Sequence, residues 1–113
     1  MADCLFCNIA AGEIPSTCLY DDGNVFAFQD INPQAPVHFL VIPKVHIAGA
    51  AEITAENSDL VAKCFEVIAK LAKEQGLENG YRVITNNGAD AGQTVHHLHF
   101  HVLGGKAMGE KMV

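Results

Sequence analysis

The sequence predicts an α+β fold, a five-stranded antiparallel sheet with one long helix and short helices beside it. Three observations lead there. The chain has 113 residues and is half apolar, enough for one domain over residues 1–113 with a core that needs no staples. Five short stretches have strand character, and they follow one another through turns instead of alternating with helices. Sustained helical periodicity is confined to residues 55–75.

The elements follow in chain order. Residues 4–11 form a short helix with Leu5, Phe6 and Ile9 on one side, ended by Gly12 and Pro15. Residues 17–21 and 24–29 form strands, and Asp22-Gly23 between them is a hairpin signal. In the second strand Val25, Ala27 and Gln29 alternate with Phe26, Phe28 and Asp30, so either face suits burial. Asn32–Pro36 is a loop, because each proline biases its predecessor away from helix. His38–Ile42 is almost wholly apolar, as expected of a central strand covered on both faces, and Pro43 stops it. In the long helix Leu60, Cys64, Val67, Ile68, Leu71 and Ala72 share a face, with Thr54 as N-cap and Gly76 just past the end. Strands at 81–86 and about 95–103 close the list, the last ended by Gly104-Gly105. An open sheet edge invites pairing with a second copy.

Thirteen acidic residues against seven basic give a net charge of −6. No basic stripe exists to track nucleic acid or an anionic membrane. No leader-like start and no bilayer-length apolar run is visible, so a cytoplasmic protein is expected. In a reducing compartment Cys4, Cys7, Cys18 and Cys64 are expected as thiols or metal ligands, with Cys18 and Cys64 packed in the interior.

The chemistry concentrates in His97-Leu98-His99-Phe100-His101-Val102-Leu103. On a strand, His97, His99 and His101 project to one side and Leu98, Phe100 and Val102 to the other. A lone histidine on a strand is ordinarily a solvent-facing residue. Three on one face, backed by an apolar one, form a polar ladder that is expensive to desolvate unless used. Metal coordination and nucleophilic catalysis both suit such a ladder. The preceding Gly92-Gln93-Thr94 favours the second, since its amides and hydroxyl suit phosphate oxygens. Coordination of one metal by all three is awkward, because same-face neighbours on a strand lie about 7 Å apart. His96 faces the other way and reads as a surface residue.

The run matches the signature of the histidine triad (HIT) superfamily, His-x-His-x-His followed by two apolar residues. Glu13–Pro15, Phe28–Pro33, Ala35–Lys44, Gly80–Arg82 and Ala91–Val95 also resemble its nucleotide-binding Hint-like branch, over nearly the whole chain. The resemblance implies a HIT-like fold whose five-stranded sheets join across a homodimer. It implies binding of purine nucleoside monophosphates and hydrolysis of adenosine 5′-phosphoramidates to AMP and an amine. His99 then matches the nucleophile, His101 the histidine on the phosphate oxygens, and His38 a supporting fourth histidine. Asp30 resembles the ribose-binding residue, with Ile31 beside it. Leu5, Phe6, Ile9 and Phe28 fall where the family lines its base pocket; unaided, their spacing reads equally as core packing. Asn86, Gly92, Gln93 and Thr94 match positions around the phosphate. Histidine at position 101, where transferase members carry glutamine, favours a hydrolase. The alternatives are a dinucleoside polyphosphate hydrolase, which Gln93-Thr94 also resembles, and a nucleotide-binding sensor or scaffold with little turnover.

Cys4-Leu5-Phe6-Cys7 is by itself ambiguous between zinc, redox chemistry and neither. Some branches of the superfamily pair it with a histidine after the Pro-Lys segment and with the first triad histidine, here His46 and His97. That set implies a structural Zn2+, while the reaction itself needs no cation because imidazoles and amides can carry its charges.

Overall fold

The computed structural model describes residues 4–111. Helix α1 (Leu5–Ala10) is followed by strands β1 (Cys18–Asp21), β2 (Val25–Gln29) and β3 (Val37–Pro43). Helix α2 (Ser58–Glu74), β4 (Tyr81–Ile84) and β5 (Phe100–Gly104) complete it, with 3-10 turns at Ala50–Glu52 and Ala89–Ala91. The sheet order is β1-β2-β3-β5-β4 and every pair is antiparallel. The β1–β2 hairpin turns where expected, with Asp22 Oδ1 accepting from the Asn24 and Val25 amides.

β3 lies at the centre and is buried from His38 to Pro43, as its apolar run requires. Alternation sends its side chains into two layers. Phe39 and Val41 join Val25, Ala27, Phe100 and Val102 under α2, whose Cys64, Val67, Ile68 and Leu71 close the main core. Leu40 and Ile42 face the other way, with Phe26 and Phe28, and are covered by Phe6, Ile9 and Ala10 of α1. Both faces of β2 are therefore buried.

Three boundaries differ from the sequence reading by two residues or more. The long helix starts at Ser58, not residue 55, and its N-cap is Asn57. The Thr54 hydroxyl instead accepts from the Glu56 amide, and Asn57 Oδ1 accepts from the Thr54 amide. These local side-chain bonds hold 54–57 as a separate turn, a use for which short polar side chains compete well. The last strand begins at Phe100, not near Val95. Its register with β3 would set Leu98 opposite Pro43, which has no N–H to donate, and Leu98 N–H bonds the Ile47 carbonyl instead. β4 ends at Ile84, two residues early, and His97 and His99 lie ahead of the paired strand, His97 in a bend. Cys18 differs too: it is exposed on the edge strand β1, whereas Cys64 is fully buried and its thiol is pushed up to about 12 by that burial.

Candidate active site and metal centre

The α1 face of the sheet carries the histidines. Alternation persists through 97–102 although the ladder covers only part of it: Leu98, Phe100 and Val102 enter the main core, and His97, His99 and His101 face α1. His99 is buried, with the edge of the Phe6 ring against it at 5.0 Å between centroids. Its Nδ1 lies 2.6 Å from the His97 carbonyl oxygen. A carbonyl only accepts, so Nδ1 carries the proton and Nε2 keeps its lone pair. Burial holds the imidazole below its ordinary pKa, opposed by the carbonyl bond, so that lone pair stays available at neutral pH. The backbone is held on both sides: Leu98 N–H donates to the Ile47 carbonyl, and the Thr85 hydroxyl donates to the His99 carbonyl at 2.8 Å.

His101 takes the opposite tautomer. The Gln34 amide donates to His38 Nδ1 at 3.0 Å, so the proton of neutral His38 sits on Nε2. That N–H faces His101 Nδ1 at 2.9 Å and Asp30 Oδ2 at 3.3 Å. His101 Nδ1 is then an acceptor, and its own proton sits on Nε2. Burial, reinforced by His99 and His38, pushes His101 down to about 4, so it is neutral at pH 7 and carries that single proton. Burial likewise lowers His38, against the pull of Asp30. Neighbouring rings His99 and His101, 5.0 Å apart, thus pair a lone pair with an N–H. The three triad nitrogens do not converge on one point, because each ring is turned to a different partner.

The residues expected at a base pocket divide. Phe6 and Phe28 meet edge to face at 5.4 Å, and Ile9 lies in the same cluster. Leu5 and Ile31 are exposed, Ile31 almost completely. Asp30 is half-buried, with Oδ1 accepting from the Asn32 amide. In the loop before the triad, Asn86 is half-buried while Gly92 and Thr94 are exposed. Gly92 has φ +80°, a conformation that favours glycine. The buried Gln93 amide accepts from Gly88 N–H and donates to the Ala48 and Val95 carbonyls. Its amide is engaged within the protein, so what it supplies is the shape of the loop.

Four sulfur and nitrogen donors meet behind His99. Cys4 Sγ, Cys7 Sγ, His46 Nδ1 and His97 Nδ1 all lie within 4.8 Å of one another. Cys4 and Cys7 Sγ are each 3.4 Å from His97 Nδ1, and Cys7 Sγ is 3.3 Å from His46 Nδ1. A zinc tetrahedron with bonds of about 2.3 Å to sulfur and 2.05 Å to nitrogen has S···N edges of roughly 3.5 Å. The donors therefore fit zinc in both kind and spacing. His97 Nε2–H donates to the Pro43 carbonyl at 2.8 Å, which leaves Nδ1 as the ligating atom and fixes the ring. Burial, then the Cys4 sulfur, raise the Cys7 thiol pKa, a penalty that a cation among the sulfurs would reverse.

Thr85 and Pro43 hold site residues in place and carry no signal in the sequence. Only the β4–β5 register, which sets Ile84 opposite His101, brings Thr85 to the nucleophile candidate's backbone.

The chain is similar to known proteins. The HIT domain family matches residues 11–108. A HIT family hydrolase from Clostridium thermocellum superposes with a TM-score of 0.97 at 49% identity, covering 100% of this chain and 99% of that one. The 14 kDa zinc-binding protein of Zea mays is 45% identical over 92% of this chain and 83% of its own. The purine nucleoside phosphoramidase of Escherichia coli is 42% identical over 93% of this chain and 89% of its own.

Proposed function

This chain belongs to the HIT domain family, and we propose that it is a purine-nucleotide hydrolase cleaving nucleoside 5′-phosphoramidates through a nucleotidyl intermediate on His99. The observation that carries this reading is the pair of opposed tautomers: a lone pair at His99 Nε2 beside an N–H at His101 Nε2. The likeness to the Escherichia coli phosphoramidase supports it.

His99 Nε2 attacks the α-phosphorus. The P–N bond breaks, its electron pair leaves with the amine, and the amine takes a proton from solvent while the His101 Nε2–H hydrogen-bonds a phosphoryl oxygen. Water then attacks the phosphorus, the His99–P bond breaks with its electron pair returning to Nε2, and the water's proton passes to solvent. The products are AMP and an amine. His38 holds the His101 tautomer, with Asp30 also binding the ribose. Phe6, Ile9 and Phe28 form the base wall, with the exposed Leu5 and Ile31 as rim residues that close on a ligand. Asn86, the Gly92 backbone and the Thr94 hydroxyl contact phosphate oxygens, on a loop shaped by Gln93.

Cys4, Cys7, His46 and His97 hold a structural zinc in this reading. Four protein ligands close its coordination sphere, so it supplies stability and shape and no position for substrate. The likeness to the zinc-binding protein of Zea mays supports it, as do the donor distances. A homodimer in the cytoplasm completes the reading. The half-exposed Phe65 on α2 and Tyr81 on the edge strand β4 support the dimer. The four reduced cysteines support the compartment, and among the described residues no helix is long and apolar enough to cross a membrane.

The test is AMP release from adenosine 5′-phosphoramidate by the wild type and His99→Ala, with AMP binding and zinc content measured on the same preparations. Turnover that disappears in His99→Ala while AMP still binds supports the reading. Turnover that survives there overturns it.

A further inference from the structure

We propose that the groove beyond His101 is a leaving-group subsite for an anion, and that Arg82 reads the charge; this rests on the phosphoramidate reading above. The β3–β5–β4 register places it. One row across the sheet face is Leu40, His101 and Ile84; the next is His38, Leu103 and Arg82. Arg82 and Leu103 therefore share the face of the triad, one row past His101. Together with Gln34, Ile84, Lys106 and Met108 they line a groove of about 300 Å³.

The direction of the groove suits a departing group. The base wall of Phe6, Ile9 and Phe28 lies toward α1 and β2, whereas the groove lies toward β4, on the other side of His101. A nucleotide with its base on that wall and its α-phosphorus at His99 sends its remaining substituent over His101 and toward β4. In an in-line displacement the leaving group lies opposite the nucleophile, so the amine and whatever it carries enter this groove.

The charge of the groove is the unusual feature. The chain bears −6 overall, and an anionic leaving group is repelled by that field unless cations stand locally. Arg82 is the chain's only arginine, and it lines this groove with Lys106. By contrast, Lys44 is paired with Asp21 and Lys70 with Glu74. One Arg82 nitrogen donates to the Gly109 carbonyl. A guanidinium has five N–H donors, so that bond does not exhaust it, and its planar fork matches the two oxygens of a carboxylate or a phosphate. The apolar floor of Ile84 and Leu103 strengthens such a contact by keeping water from one side. Pairing of β4 with a second copy would use its backbone edge and leave this face in place.

Binding to His99→Ala tests the subsite without turnover. The probes are AMP N-linked to glycine, which ends in a carboxylate, AMP N-linked to ethylamine, which is neutral, and diadenosine triphosphate, whose leaving group carries phosphate. At low salt the glycine compound is expected to bind about five- to tenfold tighter than the ethylamine compound. Adding Arg82→Gln, which keeps a donor for Gly109, is expected to bring that ratio near one. Lys106→Gln, at an exposed position, is expected to reduce it in part. An Arg82-dependent preference for diadenosine triphosphate over both amine compounds also supports the subsite and assigns the anion to a second phosphate. Equal binding of charged and neutral probes, or a preference that persists in Arg82→Gln, overturns it. Failure of the wild type to release AMP from any of the three overturns the phosphoramidase reading instead, and the binding ratio still decides the subsite.

Discussion

The two faces of one sheet differ in what they ask of the sequence. Under α2, the buried set runs from Val25 and Phe39 to Leu71 and Val102 and is apolar throughout, its only titratable group the inert Cys64 thiol. Under α1, the same strands bury Leu40 and Ile42 beside His38, His99 and His97. The first face needs volume and shape, which many apolar side chains could supply. The second needs a partner for every nitrogen closed off from solvent. Among the described residues no buried side-chain nitrogen or oxygen lacks one. The candidate site sits on the face where each buried polar group has a specific bond to keep, and the other face is apolar packing.

Substitutions should separate the two. His99→Ala is expected to lower turnover by more than about 10³-fold. Its melting temperature should stay near that of the wild type, and a large fall in scanning calorimetry would show that the two faces are not separable. Leu71→Ala, on the opposite face, should do the reverse. It should destabilise by about 2–5 kcal/mol in urea unfolding and leave kcat per folded molecule nearly unchanged.

Cys4→Ser tests whether the metal set belongs to the structural or the chemical half of the histidine face. It should lose most bound zinc and about 5–10 °C in melting temperature, with a smaller loss of turnover. Equal zinc content in mutant and wild type would remove the proposed site.

Acid should weaken the histidine face first. His101 falls from its ordinary 6.5 to about 4 on folding, so between those values the unfolded chain binds a proton that the folded chain refuses. Stability from this group is therefore complete above pH 6.5 and declines toward pH 4, and a flat profile of unfolding free energy over that range would contradict it. The smallest expected effect is at Thr85. Thr85→Val should lower kcat about two- to fivefold with KM unchanged, and Thr85→Ser should restore it, since only the hydroxyl reaches the His99 carbonyl.

Much of this was legible beforehand. The apolar alternation of β2 and the nearly continuous apolar run of β3 announced a buried central sheet, and the period of α2 announced the helix over it. The spacing of His97, His99 and His101 correctly placed the three on one side. Two of the errors fell where side chains bond the backbone or where proline intervenes: the start of α2 at Asn57 and the late start of β5 opposite Pro43. Local propensity cannot weigh such bonds, because their partners are settled by the loop or by the neighbouring strand.

What the sequence determined by itself is the set of elements, the two layers of the core and the candidate histidines on one face, because these depend on composition and on periods of 2 and 3.6 residues. What the tertiary structure alone decided is which nitrogen of each histidine is protonated. The Pro43 carbonyl sets His97, the His97 carbonyl sets His99, and the Gln34 amide sets His38 and through it His101. Two of these partners, Pro43 for His97 and His38 for His101, come from distant stretches of chain, and only folding brings them to within 3 Å of a particular ring atom.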